Sequence, residues 1–69
     1  MISADDLILS LDDGSFDFAM EKTLDSLDQG ALDSLMRDME ARVGSILDQD
    51  KRHIFKNGIS AIKMTLDFL

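Results

Sequence analysis

The densest group of reactive side chains is Asp12-Asp13-Gly14-Ser15-Phe16-Asp17, carboxylates gathered around a glycine as a hard cation such as calcium requires. The spacing does not suit a calcium loop. With Gly14 at the sixth position of an EF-hand loop, Leu9, Leu11 and Met20 fall where oxygen ligands belong. The segment reads as a solvated acidic turn. The one imidazole, His53, lies in Asp50-Lys51-Arg52-His53, with no Cys and no second His to share a metal. No partner for general-base work is legible around it. An exposed surface histidine is expected, and no catalytic residue, metal site or cofactor is assigned.

Two hydroxyls recur in a common setting, Asp25-Ser26-Leu27 and Asp33-Ser34-Leu35. The stretch Leu32-Asp33-Ser34-Leu35-Met36 is similar to the phosphopantetheine attachment motif of acyl carrier proteins. That resemblance implies Ser34 as the attachment site at the start of an acidic recognition helix, with Asp33, Asp38 and Glu40 beside it. It covers about five residues. The family's long loop before the serine is missing, and the segment after Val43 turns basic.

Charge divides the chain. Residues 1–40 carry eleven acids against Lys22 and Arg37, a net of −9, whereas residues 41–69 carry five bases against Asp48, Asp50 and Asp67, a net of +2. Such a molecule offers partners an acidic surface and a small basic one. At 45% apolar and 30% charged residues, it is too hydrophobic for a disordered acidic tail. The longest apolar run, Leu7-Ile8-Leu9, is far short of the ~20 residues of a membrane span. The N-terminus opens acidic where a secretory signal is basic, so a cytoplasmic chain is expected. A domain this small buries only about 60% of its unfolded surface. Lacking Cys, it is expected to draw stability from self-association or a partner.

The absence of Pro and the repeated 3–4 spacing of apolar residues predict an all-α chain. Breaks are expected at Gly14, Gly30 and near Asp48 to Asp50. The expected form is a single domain over 1–69, a three- or four-helix unit with a helical hairpin 31–48/50–68 preceded by N-terminal helices. Leu32, Leu35, Met36, Met39, Val43, Ile46 and Leu47 form one stripe, flanked by the i,i+4 pairs Asp33 with Arg37 and Asp38 with Arg42. Asp50 is the expected N-cap of the last helix, whose face holds Ile54, Phe55, Ile59, Ile62, Leu66 and Leu69. Gly58 within it is either a close-packing point or a break. Ser3 with Asp6 predicts a capped first helix ending at Gly14, and a second helix over 16–28 carries Phe16, Met20, Leu24 and Leu27. The alternative is an N-terminal β-hairpin over 7–18, turning at Asp13-Gly14 and placing Leu9, Leu11, Phe16 and Phe18 together. The expected core is Leu7, Leu11, Met20, Leu24, Leu27, Leu32, Leu35, Met36, Met39, Val43, Ile46, Ile54, Ile59, Ile62 and Leu66.

Phe18, Met64 and Phe68 fall outside those faces, and Arg52, Lys56 and Lys63 form a basic stripe beside them. An uncovered apolar patch marks an interaction site. These six are the expected partner-binding residues of a non-enzymatic protein-protein interaction module acting as adaptor, regulator or self-assembling subunit. The basic stripe could meet the acidic half of a neighbouring copy. Direct nucleic-acid binding is not expected, because three cations lack interleaved aromatics. An alternative is an acidic inhibitor of the phage type that mimics DNA, with Asp5, Asp6, Asp12, Asp13, Asp17, Glu21, Asp25 and Asp28 as a phosphate track. The tail Asn57 to Leu69 also resembles the terminal helix of type III secretion needle subunits, which implies a polymerising helical hairpin. Here Asp28-Gln29-Gly30 stands where that family has a Pro-containing turn.

Overall fold

The computed structural model describes residues 2–69, which form four α-helices and no strand. They are α1 (Ala4–Asp13), α2 (Phe16–Asp25), α3 (Gln29–Arg42) and α4 (Gln49–Phe68), with a 3-10 turn at Val43–Ser45. The Cα radius of gyration is 11.0 Å, the value of about 11 Å expected for a compact chain of this length. The longest dimension, 32 Å, matches the roughly 30 Å of a 20-residue helix, so α4 spans the whole molecule.

The first helix starts as its sequence requires. The Ser3 side chain accepts from the Asp6 N–H while the Asp6 carboxylate accepts from the Ser3 N–H, a reciprocal capping box. It ends at Gly14, whose φ of 80° lies in the left-handed region that a side chain disfavours. The Asp13-Gly14 pair therefore closes a helix and does not turn a hairpin, and the β-hairpin over 7–18 is overturned. Leu9 and Phe18, apposed in a hairpin, sit on separate helices and are 65% and 61% exposed.

Other boundaries moved. The second helix stops at Asp25, and Leu27, expected in the core, has φ 49° and is 60% exposed. Gly30 is no break: it lies inside α3, which Asp28 caps by accepting from the Ala31 N–H at 3.1 Å. The helix expected through residue 48 ends at Arg42, because Ile46 is extended and Ser45 Oγ donates to the Arg42 carbonyl at 2.7 Å. Leu47 consequently leaves the predicted stripe and is fully exposed. The cap of α4 is Asp48, not Asp50, accepting from the Lys51 N–H.

One core joins all four helices. Leu7 of α1, Leu32 and Met39 of α3, and Phe55 and Ile62 of α4 are entirely or almost entirely buried, with Phe16, Met20, Leu35, Ile46 and Ile59 around them. Leu11, Leu24, Met36, Val43 and Leu66 pack on it half-buried. Ile54 was the wrong choice for the core; it is exposed, and Phe55 takes the place. The reason is a small rotation of α4 set by Gly58. A Cβ at Gly58 would stand 2.7 Å from Phe16 Cζ and 3.3 Å from Met20 Sδ, so the missing side chain is the space that α2 occupies. The Phe16 ring lies 6.0 Å from that of Phe55, tilted by 43°, within the range of favourable aromatic pairs.

Two outcomes follow from these backbone features. Gly58→Ala gains about 1 kcal/mol of helix propensity but overpacks the Phe16 ring, for a net loss of about 1 kcal/mol in thermal or urea unfolding. In a Phe16→Leu background, which lacks the colliding ring atom, the same change is stabilising. At Leu27, replacement by Gly relieves the left-handed backbone and raises stability by about 1 kcal/mol, measured by the shift in urea midpoint; no gain would mean that Leu27 is not held at positive φ.

Candidate functional site

The six residues expected to bind a partner divide into two groups. Phe18, Met64 and Phe68 are all exposed, at 61%, 64% and 87%. Phe18 lies on α2 with the Lys22 ammonium 4.8 Å from its ring centroid, close enough for a cation–π contact. Met64 and Phe68 belong to a longer strip on α4. Ile54, Asn57, Ala61, Met64 and Phe68 follow a 3-4-3-4 spacing and occupy a stripe roughly 80° wide at 100° per residue. Phe55, Gly58, Ile59 and Ile62 face the core from another side. The fourth helix thus carries two apolar stripes, one covered by the fold and one open. Ile54 is the member that reading the sequence placed in the core.

The cations serve different purposes. Arg52 is partly buried and its Nη1 donates to the Ile46 carbonyl at 3.0 Å, so it braces the connection between α3 and α4. Lys63 Nζ lies 3.3 Å from Glu40 Oε2. Lys56 is exposed and has no ion pair among the described residues. Ile54 is bordered on one side by a groove containing Gln49, Asp50, Arg52, His53 and Lys56. On its other side, Asp17 of α2 joins Ile54, Asn57 and Ala61 in a second groove floored by Phe16, Met20 and Gly58. At its Ile54 end the open strip therefore has a groove of mixed charge on one side and Asp17 on the other.

Much of the acid half is occupied within the molecule. Asp5 Oδ1 accepts from Arg42 Nε at 2.9 Å and Asp12 Oδ1 from Lys51 Nζ at 2.6 Å, tying α1 to the basic half of the chain. Arg42 pairs with Asp5 and not with the expected Asp38, whereas Asp33 does pair with Arg37 at 2.9 Å. Asp6 and Asp28 cap helices, and Asp13 accepts from the Ser15 N–H and hydroxyl. Of the eight carboxylates proposed as a phosphate track, Asp17, Glu21 and Asp25 remain as an exposed row along α2.

Ser34 is exposed but lies inside α3, which begins at Gln29, and not at a helix start. A groove of about 440 Å³ opens between Ile2, α2 and α3, with Leu32 and Leu35 among its walls and Lys22, Thr23, Ser26 and Asp28 about it. Its hydroxyls are committed to the backbone: Thr23 Oγ1 donates to the Ala19 carbonyl and Ser26 Oγ to the Thr23 carbonyl, each at 2.8 Å. Neither is paired with a base that would activate it as a nucleophile. His53 lies elsewhere, on the exposed side of α4. Among the described residues no three His, Cys, Asp or Glu side chains come together as metal ligands. Among the described residues no helix is long and apolar enough to cross a membrane.

The class defined by these features is a small all-α protein of four helices whose longest helix leaves one apolar stripe uncovered. No protein-family model, curated protein or solved structure matches the chain.

The electrostatics make a pH prediction. The Ser3 N–H holds the Asp6 carboxyl below the usual carboxylate range, and the Ser15 hydroxyl does the same for Asp13. A carboxyl depressed on folding adds stability above its unfolded pKa of about 4, which is lost as pH falls through the lower folded value. The hydrogen bond from Lys51 to Asp12 raises the lysine. Its contribution is complete below about pH 10 and is lost as pH rises through the folded value. The thermal midpoint should therefore form a plateau that drops at both ends. Asp6→Asn with Asp13→Asn should flatten the acid limb, and Asp12→Asn the alkaline limb.

Proposed function

We propose that this chain is a non-enzymatic protein-interaction module whose contact surface is the outer stripe of α4, with a groove of mixed charge on one side of its Ile54 end and Asp17 of α2 on the other. The observation that carries the reading is the exposure of Met64 and Phe68 beside Ile54 on a helix whose other face is already buried. Contiguous apolar surface of this kind is costly to leave in water and is characteristic of docking sites. A helix face read at i, i+3, i+7 and i+10 suits another helix or an apolar groove.

Phe68 is the strongest anchor by type, since large aromatics dominate interface energetics. Its ring area removed from water would contribute on the order of 2 kcal/mol, and Met64 adds a flexible surface that adapts to a partner. Lys56 and Asp17 would set orientation more than affinity. Arg52 and Lys63, already engaged within the molecule, support the surface at its edge. The reading places the protein's action in a cytoplasmic assembly as adaptor, regulator or self-associating subunit.

The test separates binding from folding. Met64→Glu combined with Phe68→Glu should keep the thermal midpoint within about 4 °C of the parent, because exposed substitutions change stability little. It should abolish association measured by affinity capture and by sedimentation. Unchanged association by this variant would remove the α4 stripe as the contact surface.

A further inference from the structure

We propose that the groove between Ile2, α2 and α3 binds a small apolar monocarboxylate of the medium-chain fatty acid class, its chain against Leu32 and Leu35 and its carboxylate on Lys22. The site is separate from the α4 stripe and does not depend on it. A volume of about 440 Å³ lies in the lower part of the roughly 300–1,000 Å³ that small-molecule sites occupy. Leu32 and Leu35 are buried and make a fixed floor, with Ile2 and Ala31 beside them. Lys22 and Asp28, both exposed, stand at the rim. An apolar body with a polar end is the shape of ligand this lining accommodates.

Hydrogen bonding on the lining selects that polar end. The Thr23 hydroxyl donates to the Ala19 carbonyl and the Ser26 hydroxyl to the Thr23 carbonyl, so neither proton is free for a ligand. An ionised aspartate only accepts, and Asp28 Oδ1 already accepts from the Ala31 N–H at the start of α3. Lys22 therefore holds the free side-chain donors of the lining. It enters no ion pair among the described residues, and its ammonium rests 4.8 Å from the Phe18 ring centroid. That contact engages one side of the ammonium and leaves further N–H groups for an acceptor. A carboxylate, an acceptor with full negative charge, makes the stronger hydrogen bond with such a donor. A ligand cation is repelled by Lys22, while Asp28 is set against the positive end of α3 and disfavours a second negative charge on the ligand. One carboxylate on an apolar chain satisfies both rims.

The backbone at the edge of the groove supports the assignment. Leu27, between the lining residues Ser26 and Asp28, has φ 49°, a left-handed conformation that residues other than glycine rarely adopt. Strain of this kind gathers where a chain is shaped for a ligand. Here it forms the corner that sets Thr23 and Ser26 of α2 across from Ala31 and Leu32 of α3. The groove is open along one side, so a chain of about eight carbons is partly covered and binds with a Kd of roughly a millimolar.

The test titrates octanoate, octanol and octyltrimethylammonium into the isotopically labelled full chain and follows its amide resonances. Octanoate should shift the amides of Thr23, Ser26, Ala31 and Leu32 along one saturating curve. Octanol should bind more weakly at the same amides, and octyltrimethylammonium more weakly still. Lys22→Gln should weaken octanoate about threefold to fivefold and leave octanol unchanged. Ala31→Leu, which fills the groove and leaves its buried floor intact, should abolish binding of both with the helical circular dichroism and thermal midpoint unchanged. The Met64→Glu, Phe68→Glu variant should bind octanoate as the parent does, whatever its effect on protein association. Equal binding of the three head groups, or octanoate binding indifferent to Lys22→Gln, overturns the carboxylate assignment. Shifts that survive Ala31→Leu, shifts that vanish in the Met64→Glu, Phe68→Glu variant, or no saturable shift up to ~10 mM overturn the groove as the site.

Discussion

The approach of the Phe16 ring to the backbone of Gly58 governs how the rest of the molecule is arranged. With no Cβ at residue 58, α2 lies against α4 at a distance that brings Phe16 to within 6.0 Å of Phe55, ring centre to ring centre. That contact directs Phe55 inward to complete burial and turns Ile54 outward. Rotation of a helix moves every residue on it together, so the same event that fills the core also exposes Asn57, Met64 and Phe68. The core and the uncovered stripe are two consequences of one close contact.

Electrostatics hold the frame around that contact and leave a residue of unpaired charge. Asp5 with Arg42 and Asp12 with Lys51 join α1 to the ends of α3 and α4 across 37 and 39 residues of sequence. Exposed pairs of this type contribute little individually, but they determine which charges stay available to a partner. Asp17, Glu21 and Asp25 on α2, and Asp38, Asp50 and Asp67 elsewhere, stay outside the ion pairs and caps, and Lys56 on α4 has no ion pair among the described residues. Three ion pairs, Arg42–Asp5, Lys51–Asp12 and Lys63–Glu40, cross between the two halves, and the acidic half keeps a net negative surface.

Such economy of size shapes function. A four-helix unit of 69 residues has a thin core and a large surface for its volume, and one helix long enough to span it must present a solvent-facing side. In this protein that side carries Ile54, Met64 and Phe68 among its polar residues, where solubility alone would favour charge. The contrast with α3 is informative, since its exposed side carries Asp33, Ser34, Arg37, Asp38 and Glu40, an ordinary solvated face. The departure of α4 from that pattern is what supports a binding role, and the commitment of Thr23 and Ser26 to backbone carbonyls leaves the neighbouring groove without activated chemistry.

Local signals were legible in the sequence wherever a residue acts on its own backbone. The Ser3-Asp6 box, Gly14 as a left-handed stop, the i,i+4 pair Asp33–Arg37 and the apolar periods of α3 and α4 all depend on neighbours within a turn, and the structure contains them. The exposure of Phe18, Met64 and Phe68 was legible for the same reason, because no nearby period required them to be buried. What depended on distant partners was not. Arg42 chose Asp5 over Asp38 because folding brings α1 closer than the helix's own next turn, and Arg52 left the basic stripe for the Ile46 carbonyl. Ile54 and Phe55 are adjacent and both apolar, so sequence determined that one of them faces inward. Only the packing of Phe16 against Gly58 decided which, and with it the surface that the protein has to offer.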